Sequence, residues 1–242
     1  MTKPLYLEDA YQKDAHCTIL EVIEERFIVL DETVFYPQGG GQPGDSGKLQ
    51  HGADSYIVLN TTKKEGKILH EVDHPGLKTG DHVLASIDWD RRYTHMRYHT
   101  AAHILSSVFH GQAGALITGN QISTDKLRID FSLDDYDPLR MQHYIAEANR
   151  LIELDAPIFA RIMPREEALK LPGVVKLAGA LPPNIPELRI LTIGDDRTGI
   201  IDEQADGGTH VHSTKEIGTI IFANSENKGK NNRRVAVTLT NE

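Results

Sequence analysis

The stretch ADGGTHVHS, Ala205 to Ser213, places Asp206 and His210 four residues apart around two glycines and a threonine. Glycine loses more backbone freedom on folding than any other residue, so such a loop costs stability unless a sharp turn or a close approach requires it. A carboxylate and an imidazole at this spacing, swung inward by a turn, are two ligands for a metal ion. A second half-site lies upstream, in RRYTHMRYHTAAHILSSVFHGQ, Arg91 to Gln112. There His99 and His103 stand at i and i+4, where side chains on a helix project side by side and can offer two nitrogens to one ion. Three imidazoles and one carboxylate can fill a tetrahedron.

Spacing alone does not select these residues. The chain carries 12 histidines in 242 residues, for which chance gives roughly 0.6 H-x-x-x-H pairs. It has His70/His74, His95/His99 and His99/His103, so the motif supplies candidates and not a site. His95 extends the same helical stripe and can substitute for a neighbour. The Asp206/His210 half-site tips the balance, since Gly-Gly-Thr between them is poorly suited to a helix.

Two kinds of element must position these groups. The first ninety residues read as β: CTILEVI and RFIVLD flank a charged turn, YIVLNTT and KILHEV flank KKEG, and HVLASIDWD follows. Short β-branched runs separated by Gly, Lys and Asp turns predict a small β-barrel or sandwich. FYPQGGGQPGDSG, between the first two pairs, is too glycine-rich for a regular strand. The period then changes. Arg91 to Gln112 has no Pro or Gly before Gly111, and Met96, His99, Thr100, His103, Ile104 and Ser107 share a helical face. A second helix is predicted to start at Asp137-Pro138, with Asp as N-cap and Pro at the first helical position. Its apolar stripe is Met141, Ile145, Ala148 and Ile152. KLRIDFSL, PIFARIM, LRILTIG, GIIDEQA, GTIIFAN and RRVAVTLT read as strands. The fold class is therefore α+β, a small N-terminal β-barrel-like domain (1–90) followed by an α+β domain (91–242) with helices on a mainly antiparallel sheet.

Composition bounds the function. At 39% hydrophobic and 25% charged, the chain is an ordinary soluble globular protein. No apolar run approaches the ~18 residues that span a bilayer, and MTKPLYLEDA has no apolar secretion core. A cytoplasmic protein without a membrane partner is expected. Cys17 is the only cysteine, which excludes an internal disulfide and a multi-cysteine zinc site. A net charge of −9 argues against nonspecific coating of nucleic acid. It leaves room for a local grip on an RNA end. Lys228, Lys230, Arg233 and Arg234 form one basic cluster that can hold phosphates, or simply a solvated charge run. GGGQPGDSG is not a phosphate loop, because it lacks G-K-[ST] and a following helix.

Taken together, HTAAHIL, DGGTHV followed by STKEIGTI, and FYPQGGGQPGDSG resemble the editing domain of alanyl-tRNA synthetase and its free-standing relatives, the alanyl-tRNA editing (AlaX) proteins. ENKGKNNRRVAVTL fits as well, and the matches run in order from Val34 to the C-terminus. The resemblance implies a zinc site made by H-x-x-x-H on a helix and C-x-x-x-H on a later loop. By position the implied ligands are His99, His103 and His210, with Asp206 where the family usually has cysteine. A carboxylate oxygen is harder and donates less charge than a thiolate, so a weaker, more labile site is expected, with waters completing it. Ala102 is a second departure, since relatives often place threonine before the second histidine. Thr100 remains, one turn from the ligands.

The implied activity is hydrolysis of the ester joining serine, and as a further candidate glycine, to alanine tRNA. A synthetase pocket shaped for alanine cannot strongly reject an isostere that adds a hydroxyl, so a second hydrolytic sieve is needed. Thr100 and Gln42 are the candidates for reading the serine hydroxyl or orienting water. The partner implied is the acceptor end of a mischarged alanine tRNA, and the oligomeric state is not indicated. A threonyl-type editing domain shares the ligand spacing and also removes serine, but FYPQGGGQPGD favours the alanyl branch. The non-enzymatic alternative is a metal-free tRNA-binding module that lost zinc with its cysteine. Nothing resembles an ATP-binding aminoacylation core.

Overall fold

A computed structural model describes residues 2–134, 137–171, 174 and 185–240. The chain divides into two compact units, Met1–His95 and Met96–Glu242. Strands of the first unit are β1 (Lys3–Pro4), β2 (Asp14–Ile23), β3 (Phe27–Leu30), β4 (Glu32–Thr33), β5 (Gly47–His51), β6 (Asp54–Lys64), β7 (Lys67–Val72) and β8 (His82–Ile87). β1 and β4 form a short parallel pair, and the rest close a barrel in the order β2-β3-β7-β6-β5-β8. Every pairing in the barrel is antiparallel. Alternation builds its core: β7 turns Ile68, His70 and Val72 inward and β8 turns Val83, Ala85 and Ile87 inward. Val72, Val83, Ala85 and Ile87 join Ile19, Leu30, Phe35, Leu49 and Val58 in one cluster, and Ile68 packs with Tyr6 and Tyr36.

β5 is the barrel strand that the sequence hides. Its residues, GKLQH, contribute Leu49 as the one fully buried apolar side chain, too little periodicity to read as a strand. Closure supplies what propensity does not, because β5 pairs with β6 on one side and β8 on the other. The preceding glycine-rich segment is a loop, as expected. Gly39 and Gln42 exchange backbone hydrogen bonds of 3.1 and 2.9 Å, and Gly40 and Gly41 between them have φ of +57° and +87°. A turn with both central residues at positive φ is the tight type that favours glycine.

Asp88 ends the barrel and starts α1 (Trp89–Ala113), accepting from Arg91 N at 3.2 Å with its side chain and from Arg92 N at 3.0 Å with its carbonyl. The last two residues of the expected strand HVLASIDWD thus belong to the helix. Buried residues occupy more than the predicted stripe: Tyr98, Ala101, Ala102, Leu105, Val108 and Phe109 join Met96, His99, Thr100, His103 and Ile104. The small alanines allow neighbours to approach that side of α1.

The second unit continues with β9 (Ile117–Ile122), β10 (Leu127–Phe131), α2 (Pro138–Ile152), β11 (Ile158–Pro164), the single-turn α3 (Arg165–Ala168), β12 (Glu187–Asp195), β13 (Gly199–Ala205), β14 (Ile220–Asn227) and β15 (Arg233–Leu239). They form two antiparallel sheets, β14-β15-β10-β9 and β11-β12-β13. Asp137 caps α2 as expected, accepting from Leu139 N at 2.9 Å with Pro138 in the first turn. The predicted stripe of α2 is buried, with Tyr144 added. Asn149 then ties the helix to β14, donating to Ile220 O at 2.9 Å and accepting from Ile220 N at 2.8 Å. Phe109 of α1 stacks on Phe131 of β10, ring centroids 4.1 Å apart. No helix among the described residues is long and apolar enough to cross a membrane.

Candidate metal centre

α1 and the loop after β13 bring His99, His103, Asp206 and His210 together, with one ligand atom from each lying within 4.8 Å of all the others. Asp206 sits centrally. Its Oδ1 is 2.9 Å from His210 Nε2, and its Oδ2 is 3.5 Å from His99 Nε2 and 3.7 Å from His103 Nε2. The three imidazoles are buried. The loop glycines are now explained in part. A Cβ on Gly208 would overlap the His99 ring and crowd Asp206 Oδ1, so the close approach comes from a ligand of the same site. Gly208 N also donates to Asp206 Oδ1 at 2.6 Å. Arg189 of β12 holds the loop from behind, its Nη1 donating to the carbonyls of Asp206 and Gly208 at 3.1 and 3.2 Å.

Neighbours fix which nitrogen of two rings faces the cluster. His103 Nδ1 is 2.8 Å from Asp202 Oδ2. His210 Nδ1 is 3.2 Å from Thr100 Oγ1, whose own proton goes to Met96 O at 2.9 Å. Thr100 oxygen therefore accepts from the His210 ring, leaving Nε2 with its lone pair on the Asp206 side. Thr100, expected as a substrate contact, is held in this supporting position. Gln42 lies in the glycine loop of the first unit, fully buried, and is not one of the clustered groups.

Burial sets the charges. It pushes the His99 imidazole down to about 3 and that of His210 to about 4, against the opposing pull of Asp206. Burial also acts on His103, but hydrogen bonds to Asp202 and Asp206 outweigh it and raise that ring to about 9. Burial would raise the Asp206 carboxyl, yet the surrounding imidazoles of His99, His103 and His210 hold it well below the usual carboxylate range. The group is thus two neutral imidazoles, one carboxylate and one imidazole whose Nε2 proton points at that carboxylate. That proton is the one a cation would displace.

The donor set fits zinc. Ligand atoms 2.0–2.1 Å from a tetrahedral ion are about 3.3–3.4 Å apart, and the observed separations of 2.9, 3.5 and 3.7 Å bracket that spacing. The other H-x-x-x-H pairs go elsewhere. His70 bonds Thr33 Oγ1 and Ile28 O, both at 2.8 Å, while His74 is exposed beside Asp73. His95 is fully buried outside the cluster, lowered to about 4 by burial and by Arg91 and Arg92, with no hydrogen-bond partner for either nitrogen among the described residues. Cys17 lies in the barrel core, its thiol pushed up to about 12 by burial and by Asp31 and Glu32, unsuited to ligation.

Sequence reasoning missed Asp202, Gln204 and Arg189. Asp202 and Gln204 share the inward face of β13, polar residues two apart, while Ile200, 59% exposed, lies past the register shift at Ile193/Gly194. The basic cluster also changes. Arg233 spends its donors on Asn227 Oδ1 and on the carbonyls of Gly229, Asn232 and Asp134. Arg234 pairs with Asp130 at 2.7 and 2.9 Å. The exposed remainder is Lys228 and Lys230.

Residues 7–91 match the family described as tRNA synthetases class II (A), and residues 188–236 match the threonyl and alanyl tRNA synthetase second additional domain. These matches put both units in the class of tRNA-synthetase-related domains. Proteins named alanyl-tRNA editing protein AlaX-M from Methanosarcina barkeri and Saccharolobus solfataricus are each 44% identical to this chain, over 99% of both sequences. The alanine–tRNA ligase of Pyrobaculum neutrophilum is 37% identical over 90% of this chain and 25% of the ligase. The chain belongs to the AlaX-M family of alanyl-tRNA editing proteins.

Proposed function

We propose that this protein is a zinc-dependent aminoacyl-tRNA hydrolase that removes serine, and glycine as a second substrate, from mischarged alanine tRNA in trans in the cytoplasm. The observation that carries this reading is the buried convergence of His99, His103, Asp206 and His210 in a chain that aligns over its full length with editing proteins. In this reading residues 1–90 are the glycine-loop barrel domain and residues 91–242 the zinc-binding editing domain. The histidines and Asp206 would hold the ion. When bound, zinc supplies a Lewis acid that polarises the ester carbonyl or acidifies a water. Gln42 contributes an amide that reads the serine hydroxyl, a hydrogen bond that alanine cannot return, so the correct product is spared. Thr100 serves the same chemistry through the ring of His210.

The alanyl reading is favoured over the threonyl one by the names of the full-length relatives. The metal-free alternative has no use for three buried imidazoles around a carboxylate. Zinc analysis beside hydrolysis of seryl- and alanyl-tRNA tests the proposal. The purified protein should carry zinc, deacylate serine on alanine tRNA about four orders of magnitude faster than alanine, and lose activity to a chelator until zinc is restored. His103→Ala should abolish both zinc retention and deacylation. Full activity in the zinc-free protein, or faster hydrolysis when threonine tRNA is substituted, sinks the assignment.

A further inference from the structure

We infer that Asp202, held by Gln204, is a positioning residue that presents His103 to the metal. The inference rests on the metal reading above. An imidazole offers Nε2 to a cation only when its proton resides on Nδ1, and the partner of Nδ1 decides this. For His103 that partner is Asp202 Oδ2, at 2.8 Å. A carboxylate only accepts, so Nδ1 must donate. The proton a cation displaces is then the one on Nε2, the atom facing Asp206 Oδ2, and the lone pair is freed there.

The carboxylate is itself fixed. Gln204 Nε2 donates to the same Oδ2, also at 2.8 Å, and Asp202 and Gln204 are 2% and 5% exposed. Both stand on the inward face of β13, and their registers opposite Ile193 and Leu191 of β12 keep them there. Such a pair of polar side chains has no packing value at a position where an apolar residue would bury more favourably. Aiming one ring is the purpose the contacts identify. His210 receives a weaker version of the same support, since Thr100 is an uncharged acceptor at 3.2 Å. Charge-assisted hydrogen bonds are roughly twice as strong as neutral ones, so losing Asp202 should cost more than losing Thr100.

The test uses zinc affinity, by chelator competition, and the visible d–d absorption of the cobalt(II)-loaded protein, which reports ligand geometry directly. Asp202→Leu should weaken zinc binding about 10–100-fold and shift the cobalt spectrum. Asp202→Asn, which keeps the volume and an acceptor oxygen, should give a smaller loss with a spectral shift of the same sign. Thr100→Val should fall below Asp202→Leu. A folded Asp202→Leu protein with wild-type zinc affinity and an unchanged cobalt spectrum overturns the inference. Should the leucine variant not fold, an unchanged spectrum in Asp202→Asn overturns it equally. A wild-type protein that takes up neither ion defeats the metal reading itself, an outcome seen before any variant is made.

Discussion

In the barrel unit, the buried side chains of Asp45, Arg92 and His70 meet partners of complementary kind. Asp45 and Arg92, both fully buried, form an ion pair in which Arg92 also donates to the carbonyls of Ala10 and Val34 and Asp45 accepts from Tyr36 N. His70 accepts from Thr33 and donates to Ile28 O. In the second unit, His99, His103 and His210 instead crowd one carboxylate, with ring centroids 4.5–5.5 Å apart. Ring nitrogens converge there in excess of the oxygens that can pair with them. Where the protein supplies each polar group with its own partner, burial makes structure. Where lone pairs converge on a shared volume, the group is one that could hold a cation.

That contrast can be broken at either end, and the largest effect belongs to the barrel. Asp45→Ala leaves an uncompensated buried guanidinium and should cost about 3–5 kcal/mol of stability, read by urea unfolding and independent of added zinc. A loss below about 1 kcal/mol would mean that solvent, not Asp45, satisfies Arg92. Gly208→Ala tests the other end. Its added Cβ displaces the His99 ring, so zinc affinity should fall about tenfold or more, the scale of a disturbed ligand orientation, with a smaller stability change than Asp45→Ala. Unchanged affinity would show that His99 is not held by the loop.

A third test is a slope with pH. His70 is lowered from 6.5 to about 4 by burial, against the hydrogen bond to Ile28 O. Above pH 6.5 both folded and unfolded states keep this ring neutral. Below it the unfolded chain gains a proton that the folded one refuses, so stability falls as pH drops toward about 4. Between pH 6.5 and 5 this amounts to about 2 kcal/mol. His70→Gln should flatten the pH dependence by that amount in paired unfolding curves, and parallel curves would contradict the assignment of a neutral, satisfied ring.

What was legible in the sequence follows from how local each signal is. Asp137-Pro138 announces the start of α2 because an N-cap needs only neighbouring amides. The ligand spacing on α1 is equally local, but three histidine pairs share it. Only β13 and its loop, paired across β12, select His99 and His103. β5 was hidden because its existence is a property of barrel closure, and Leu49 alone cannot signal it. Asp202 was hidden for a subtler reason. Alternation tells which residues of a strand share a face, and polar Asp202 and Gln204 look like the outer face until the histidine they serve is in view. Arg233 and Arg234 show the converse, a basic run whose arginines are spent inside the protein.

The carboxylate of Asp206 has a consequence beyond affinity. None of the four clustered side chains has a thiol, and the chain's single thiol is shut in the barrel with little thiolate character. Peroxide, which climbs the oxidation ladder from a thiolate, finds no foothold in this centre.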